Sequence, residues 1–461
     1  MSARETRPVS RRAFLRSAGI AAGAALLAAC RPTVETVEKE VTKVVEKEKI
    51  VEVTPAPKEP VRLRLAEGSW VGPEGIKFWT DEIIPRFELE NPGIKVDFES
   101  AEAAEWIEKT YAQMVAGEAP DVMFVWGGGG SSFDWIIKGQ ALLLDEHFDK
   151  TYLEDFYPSM LVAYEIDGHL WGIPKYISTI CLAYNKDILD EAGVPYPDNT
   201  WKWDDYLAAL KACTKRDSKG NVTRWGTYVS HDFLQPWVWQ NKGQWTDTPV
   251  LSTKCLLDQP KSMEALRVCH DMIYGPEPVS PKPGTIPDFG WYNVFSTGQI
   301  AFMESHSWTV TNYARENDFR WDFCDLPMGP DGTKASLTFA NGYIAYAGTK
   351  HPQEAVQLIR FLTSPWAEKQ MCNGILGLQP ARKSVTEQWD KYSMGAQAGY
   401  DVAAFSRMAE VAGMEIVYKD PAKGVELFQP IWEQIWITGD MGLEEGVREA
   451  CKRINEYFAS A

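Results

Sequence analysis

The globular part of this 461-residue chain, from about Val61 to Ala461, is predicted to be an α/β protein of two lobes. Three observations predict this. A body of roughly 400 residues is too long for one hydrophobic core and suits two. Its first 70 residues alternate short apolar strands with helix-period stretches, the pattern of a doubly wound sheet. Val122-Met123-Phe124-Val125-Trp126 is a continuous apolar run of the kind buried on both faces of a parallel sheet.

Each element has its own signal. Val61, Leu63 and Leu65 alternate with Arg62 and Arg64, so the body opens on a strand. Ile76, Trp79, Ile83, Ile84 and Phe87 mark one face of a helix that stops at Asn91-Pro92-Gly93. Ile94 to Phe98 alternates again, and a helix carrying Ile107, Tyr111, Met114 and Val115 ends near Gly117. Ligands of such sheets sit beyond the carboxyl ends of the strands, and Trp70 and Trp126 lie at or just past two such ends. Further on, Ile177 to Tyr184 reads as a strand and Asn185 to Ala192 as a short helix. Thr200 reads as an N-cap for a helix through Leu207 and Leu210. Helices are expected at Met263–Ile273, Gln353–Leu362, Trp432–Trp436 and Leu443–Phe458, and a buried strand at Phe339–Ala347.

The N-terminus carries addressing information. Arg11-Arg12 precedes an Ala-rich apolar segment, which resembles a twin-arginine export signal. Leu27-Ala28-Ala29-Cys30 resembles a lipobox whose cysteine takes a diacylglycerol. The apolar run, about a dozen residues, is shorter than the roughly 20 that cross a bilayer, so it is a signal and not a transmembrane helix. Residues 1–29 are therefore expected to be removed, leaving Cys30 lipidated at the head of the mature chain. Residues 30–60 read as a stalk. Val34, Val37, Val41 and Val44 have helical spacing, but Thr54-Pro55-Ala56-Pro57-Lys58-Glu59-Pro60 favours an extended spacer.

Composition excludes some partners. The chain has a formal charge of −17, and losing residues 1–29, with five arginines and one glutamate, takes it to −21. So acidic a body does not suit nucleic acid or anionic lipid. Cys181, Cys213, Cys255, Cys269, Cys324, Cys372 and Cys451 are scattered, odd in number and without CxxC spacing. They indicate neither a disulfide framework nor a zinc site; most read as small core residues, and one disulfide outside the cell is compatible with them. Gly127 to Gly130 follow a strand but no Lys-Ser or Lys-Thr pair follows, so this is no P-loop. Asp217-Ser218-Lys219-Gly220-Asn221 is a turn and not a calcium loop. No nucleophile or metalloprotease motif occurs, and no cofactor or metal is expected.

Several motifs then fall in order along the whole body. Asn91-Pro92-Gly93-Ile94-Lys95-Val96, Ala119-Pro120-Asp121-Val122 and Asp167-Gly168-His169-Leu170-Trp171-Gly172-Ile173-Pro174 are three. Tyr184-Asn185-Lys186-Asp187, Ala192-Gly193-Val194-Pro195 with Thr200-Trp201, Trp239-Gln240-Asn241, Ser307-Trp308 and Pro380-Ala381-Arg382-Lys383-Ser384 are the others. Together they resemble the family 1 extracellular solute-binding proteins, the sugar-type receptors of ABC importers. The resemblance implies a two-lobed, class II periplasmic-binding-protein-like α/β fold, each lobe a doubly wound sheet with helices. Hinge strands near Pro174–Thr179, Tyr343–Ala347 and Arg382–Val385 would join the lobes. The first lobe would comprise residues 61–177 and 343–383, the second 178–342 and 384–461.

Nineteen tryptophans suit such a role, because flat apolar rings cover the faces of pyranoses while amides and charges address hydroxyls. Trp201 and Trp203 flank a helix start and staple it; Trp171 packs near the hinge; Trp79, Trp106, Trp366 and Trp389 sit on helical patterns. The resemblance makes Trp308 the ring that stacks on sugar from the second lobe, with Trp70, Trp126 and Trp239 as further candidates. Asn241 lies in what resembles a Trp-Gln-Asn-Gly-Gly segment, here with Lys242, and its amide can donate and accept. Arg382 either reaches the cleft or ties the lobes together. His306 replaces a residue usually small, and could touch ligand, narrow the site or cap a strand.

The expected function is that of an extracytoplasmic, lipid-anchored, monomeric receptor. It would close over a sugar or oligosaccharide and deliver it to the permease subunits of an ABC importer, with no catalysis of its own. The rival from another class is a secreted glycoside hydrolase, which needs two carboxylates astride the scissile bond. A second rival keeps the fold and binds a polyamine, glycerol phosphate or peptide.

Overall fold

The computed structural model describes residues 59–460 save 69–71, 102, 127–130, 284, 286–292, 340 and 374. The expected export signal, Cys30 and nearly all of the expected stalk lie outside the described residues, as does Trp70.

The body starts where expected, with β1 at Val61–Gly68. Leu63 and Leu65 are fully buried while Arg62 pairs with Asp97 and Arg64 with Glu99 on β2, Ile94–Ala101. Between them one helical run covers Gly72–Lys77, a π turn at Phe78–Ile83 and Ile84–Glu90. Pro85, in the first turn of its last part, brings no N–H, so the wider turn precedes it. A helix over Ala103–Val115 leads to β3 at Val122–Trp126. A two-stranded hairpin, β4 (Glu165–Ile166) and β5 (His169–Leu170), comes before β6 at Ile173–Pro174.

The chain then enters a second sheet made of β7 (Ile180–Asn185), β8 (Lys215–Arg216), β9 (Val222–Thr227), β10 (Ile300–His306) and β11 (Trp321–Cys324). β12 (Ser336–Thr338) precedes β13 (Asn341–Ala345), and β14 (Ala412–Met414) returns to pair with β12. Among the described residues the first sheet has the order β2-β1-β3-β13-β6 and the second β11-β7-β10-β9-β8. β2, β1 and β3 are parallel, as the alternation with helices requires; β13 alone runs against them, and β6, antiparallel to β13, points the same way as β3.

Each sheet has its own core. The first gathers Leu63, Leu65, Phe87, Val122 to Val125, Tyr343 to Ala345 and Ile359. The second gathers Ile180 to Ala183, Leu210, Phe302, Trp321, Trp436 and Ile454. This is the two-lobed α/β architecture that length and alternation predict.

Local boundaries shift for identifiable reasons. The strand expected from Ile177 begins at Ile180, because Lys175 to Thr179 is the segment that crosses between sheets. The second crossing comes earlier than the expected Tyr343–Ala347, since Asn341 already pairs with Trp126 and Gly342 with Pro174 in the first sheet. The third lies between Ala381 in the first core and Val385 in the second. Thr200 is not the N-cap: it bonds back to Asp198, and the helix starts at Trp203 with the Asp205 carboxylate accepting from Lys202 N at 3.0 Å. Trp366 does not pack inside its helix pattern but lies 37% exposed beneath the Arg86 guanidinium.

The cysteines resolve into one bridge, Cys255–Cys451, and five buried free thiols at Cys181, Cys213, Cys269, Cys324 and Cys372. The bridge joins the loop after Trp245 to the C-terminal helix Leu443–Ser460, where the Asn455 amide also brackets the Cys255 backbone. Among the described residues no helix is long and apolar enough to cross a membrane, and no cluster of three or more His, Cys, Asp or Glu is placed to hold a metal ion.

Candidate ligand cleft

Strand directions locate the cleft. β1 and β3 end at Gly68 and Trp126, and β13 begins at Asn341 opposite Trp126, so these residues share one edge of the first sheet. Pro174 is level with Gly342 on the same edge, and the chain leaves it there for the second lobe. In the second sheet Ile180 opposes His306, so the start of β7 and the end of β10 share the edge nearest the crossing. Lys175 and Ser178 are three residues apart, at most about 10 Å along the chain. The Ser178 hydroxyl lies 3.3 Å from His306 Nδ1, and Ser307 N donates to Thr179 O at 3.0 Å. The carboxyl ends of β1 and β3 and the β7–β10 edge of the second sheet therefore meet at this crossing, where sheets of this kind leave a crevice.

On the second lobe this edge is aromatic. The half-buried Trp308 caps the start of the helix Thr309–Glu316 and stacks on His306, centroids 5.7 Å apart and planes 24° from parallel. His306 meets Phe233 edge-on at 4.8 Å and Phe339 at 5.2 Å. Burial pushes its imidazole down to about 3, so the ring is neutral at pH 7. His306 is thus part of a ring stack under Trp308 and not a charged ligand contact.

Residues 231–235 lead from this stack into a concave region. One cavity of about 180 Å³ is lined by His231, Asp232, Gln235, Trp245, Phe428 and Trp432 among others, with Tyr418 on its wall. Its rings hold one another: Trp245 and Trp432 at 5.4 Å, Phe428 and Trp432 at 4.8 Å, while Trp432 Nε1 donates to His231 O at 2.9 Å. Phe428, Trp432 and Trp436 recur every four residues, which puts them on one side of the helical run beginning at Pro421–Glu433. Among the described residues, His231 Nδ1, Gln235 Oε1 and Tyr418 Oη are buried atoms with no hydrogen-bond partner, and all three residues line this cavity. Burial pushes the Tyr418 phenol well above its ordinary value, so it stays protonated and able to donate.

A larger cavity, about 590 Å³, adjoins the first and shares Trp245 and Ile416 with it. It reaches from Pro158, Ser159 and Val162 of the first lobe to Trp239 and the Gln244–Pro249 loop of the second. Trp239 is half-buried here, its ring packed on Gly413, where any Cβ would come within 2.7 Å of it. That close approach explains a glycine inside β14.

The residues expected to form one site are thus dispersed. Trp239 lines the larger cavity; Trp308 lines neither and belongs to the ring stack at the crossing. Trp126 ends β3 at the cleft edge, but its side chain, like Trp70 and the glycines 127–130, lies outside the described residues. Asn241 is 5% exposed, and its amide nitrogen is spent on Lys261 O at 2.8 Å and Glu264 Oε2 at 3.1 Å. It closes the helix Gln235–Gln240 instead of facing the cleft. Arg382 is also corrected. It is 3% exposed, donates to Asp155 Oδ2 at 2.8 Å and Thr363 O at 2.6 Å, and lies 4.3 and 4.2 Å from the rings of Tyr152 and Phe156. These partners bind it inside the first lobe, neither in the cleft nor across the lobes.

His231, Gln235 and Tyr418 escape a reading of the sequence. The i, i+4 aromatic spacing around Trp432 is visible in it, but nothing there says that residues 231 and 432, two hundred positions apart, touch.

Comparison with known proteins agrees with this architecture. A model of the bacterial extracellular solute-binding proteins matches residues 82–398. A putative binding protein of Brucella abortus is 25% identical over 357 residues, covering 76% of this chain and 81% of that one. The maltodextrin-binding protein MdxE of Bacillus subtilis is 25% identical over 366 residues, covering 76% and 84%. Among solved structures, the ABC substrate-binding protein Lmo0181 from Listeria monocytogenes, in complex with cycloalternan, superposes with a TM-score of 0.71 at 22% identity, covering 87% of this chain and all of that one.

Proposed function

Because the chain belongs to the bacterial extracellular solute-binding proteins, we propose that it is the receptor of an ABC importer and captures a mono- or oligosaccharide between its lobes. The observation that carries this reading is the aromatic cavity beside Trp432 on the second lobe, which adjoins the larger cavity reaching Pro158, Ser159 and Val162 of the first. Three indole or phenyl rings there surround buried Nδ1, Oε1 and Oη atoms that have no partner in the protein. Rings facing a pyranose and isolated hydrogen-bonding atoms facing its hydroxyls are what a sugar requires. Each unpaired buried polar atom costs about 1–3 kcal/mol, which a sugar hydroxyl recovers. The maltodextrin-binding name of the Bacillus relative supports the same class. A charged solute would instead need a cluster of carboxylates or cations, and this cavity offers only Asp232, 3.5 Å from His231.

Capture follows from the architecture. The lobes, residues 61–177 with 341–383 and 178–340 with 384–461, rotate about the crossings and close on the solute. The closed pair of lobes is then read by the permease, and energy comes from the transporter's ATPase. Mono- and oligosaccharides titrated calorimetrically into the protein test the reading. At 100 times the dissociation constant a ligand should stabilise the fold by about 2.7 kcal/mol. Release of new reducing ends would replace this reading with that of a glycoside hydrolase.

Two variants follow. Tyr418→Phe should weaken binding about tenfold, a loss of one hydrogen bond near 1.4 kcal/mol, with melting scarcely changed. Trp308→Ala should lose about 1–3 kcal/mol of binding if its ring covers sugar. Trp201, packed on Phe302 at 6.1 Å in the second core, is the control whose loss lowers melting and spares affinity. Parent-like affinity in both Tyr418→Phe and Trp308→Ala would remove the site.

The receptor is proposed to be a monomer held outside the cell by a lipid on Cys30, after twin-arginine export and cleavage behind residue 29. Cys30→Ala should release a correctly folded body from membranes into the soluble fraction. Continued sedimentation with membranes would refute the lipid anchor.

A further inference from the structure

Lys175 opens the first crossing, and its amino group is buried with the residue 2% exposed. Its ammonium bonds Glu67 Oε1, itself fully buried at the penultimate position of β1. The other Glu67 oxygen accepts from Tyr343 Oη at 2.8 Å. Four rings surround the ammonium: Phe124 at 4.3 Å, Trp79 at 5.0 Å, Tyr343 at 5.5 Å and Tyr176 at 5.8 Å. Ring faces attract a cation and compensate part of its lost hydration.

β13 already pairs with β6 just before Lys175, and the triad adds a side-chain link from both to β1, which β3 separates from them in the sheet. Glu67 sits at the carboxyl end of β1. Tyr343 sits on β13, two residues past the second crossing. Lys175 begins the first crossing, and its own N–H donates to Asn341 O at 2.8 Å. Next along, Tyr176 bridges Pro380 and Ile177 N donates to Gln379 O at 3.1 Å, which brings in the approach to the third crossing. All three crossings are therefore referenced to one buried charge pair. A hydrophobic contact tolerates sliding, whereas a lysine shared between one carboxylate and four ring faces has a single satisfactory position.

We propose that Glu67, Lys175 and Tyr343 are positioning residues for ligand capture: they pin the first-lobe ends of the hinge segments so that rotation is confined to residues 177–179. This rests on the reading of a cleft between the lobes. An ion pair broken singly destabilises strongly, while its joint replacement by apolar residues of like volume does not. That difference separates positioning from mere structure.

The test compares Lys175→Met, Glu67→Leu and the double variant in the full chain. Each single change should lower the melting temperature. The double should melt near or above the parent, yet bind the sugar identified by titration at least tenfold more weakly. Its amides at 173–180 should also exchange hydrogen faster than the parent's. Parent-like affinity together with parent-like exchange in the double variant overturns the proposal. The exchange measurement needs no ligand, so a parent that binds no sugar refutes the carbohydrate reading and leaves this one to be decided by exchange alone. Should the double variant fail to fold, Tyr343→Phe keeps both charges and the ring. It should exchange faster at 173–176 and bind about threefold more weakly, and parent-like values for both would again overturn the idea.

Discussion

Replacing Arg382 by alanine should cost about 3–5 kcal/mol of stability and leave the affinity of each folded molecule unchanged. The guanidinium is the only described cation beside Glu368, which is 1% exposed, and the Arg382 backbone N–H donates to that carboxylate at 3.0 Å. Truncation removes the cation beside Glu368, whose carboxyl is already pushed well above its ordinary value by burial, and strips Asp155 of one donor. Burial raises the Asp155 carboxyl, but hydrogen bonds from Ser384 and Arg382 outweigh it and hold the group below its ordinary range. Stability from that depression is present above the ordinary carboxylate pKa and is lost as pH falls through the depressed value. The parent should therefore lose this contribution on acidification, and Arg382→Ala should already lack the Arg382 share of it at neutral pH while keeping the share from Ser384. Arg382→Lys should recover only part of the loss, because an ammonium cannot match a planar fork held between two rings. Denaturant unfolding at two pH values, with titration of ligand alongside, checks each statement. Normal stability with lost binding would return Arg382 to the cleft.

Opening the Cys255–Cys451 bridge should be the next largest effect, about 2–5 kcal/mol by the loop it closes. The cysteines are 196 positions apart, so the bridge ties the loop that follows Trp245 to the last helix. Cys255→Ser/Cys451→Ser and the parent under reductant should melt at the same lowered temperature, and reductant should not lower the double variant further. Because Trp245 lines both cavities, ligand affinity should fall as well, by less than stability does. A parent indifferent to reductant, with both thiols titrating as free, would show that the bridge does not form.

The elements of the first lobe were legible because they are local. Alternation at Leu63 and Leu65, the Asn91-Pro92-Gly93 stop and the apolar run at Val122 each act over a few residues, and each element stands where those signals put it. Errors arose where a partner far along the chain competes. Thr200 has the chemistry of an N-cap, but Asp198 takes its hydroxyl and Asp205 does the capping. The strand expected from Ile177 yields its first residues to a crossing whose bonds go to Gln379 and Ser307.

The candidate site was legible only in kind. Composition offered stacking rings and amides as candidates for binding, and length and alternation the two-lobed class. Which rings and which amides was not legible. Asn241 and Arg382 have side chains suited to a hydroxyl, but the Asn241 amide nitrogen is spent on Lys261 and Glu264, and Arg382 Nε and Nη1 are spent on Thr363 and Asp155 within the first lobe, with Nη2 left buried. His231, Gln235 and Tyr418 look unremarkable in the chain and are left with unspent buried atoms in one cavity. The sequence by itself determined the α/β class and the order of elements, because periodicity and residue chemistry are properties of short segments. Only the tertiary structure decided which polar groups remain free for a ligand, because a donor's availability depends on every acceptor that folding brings within 3 Å of it.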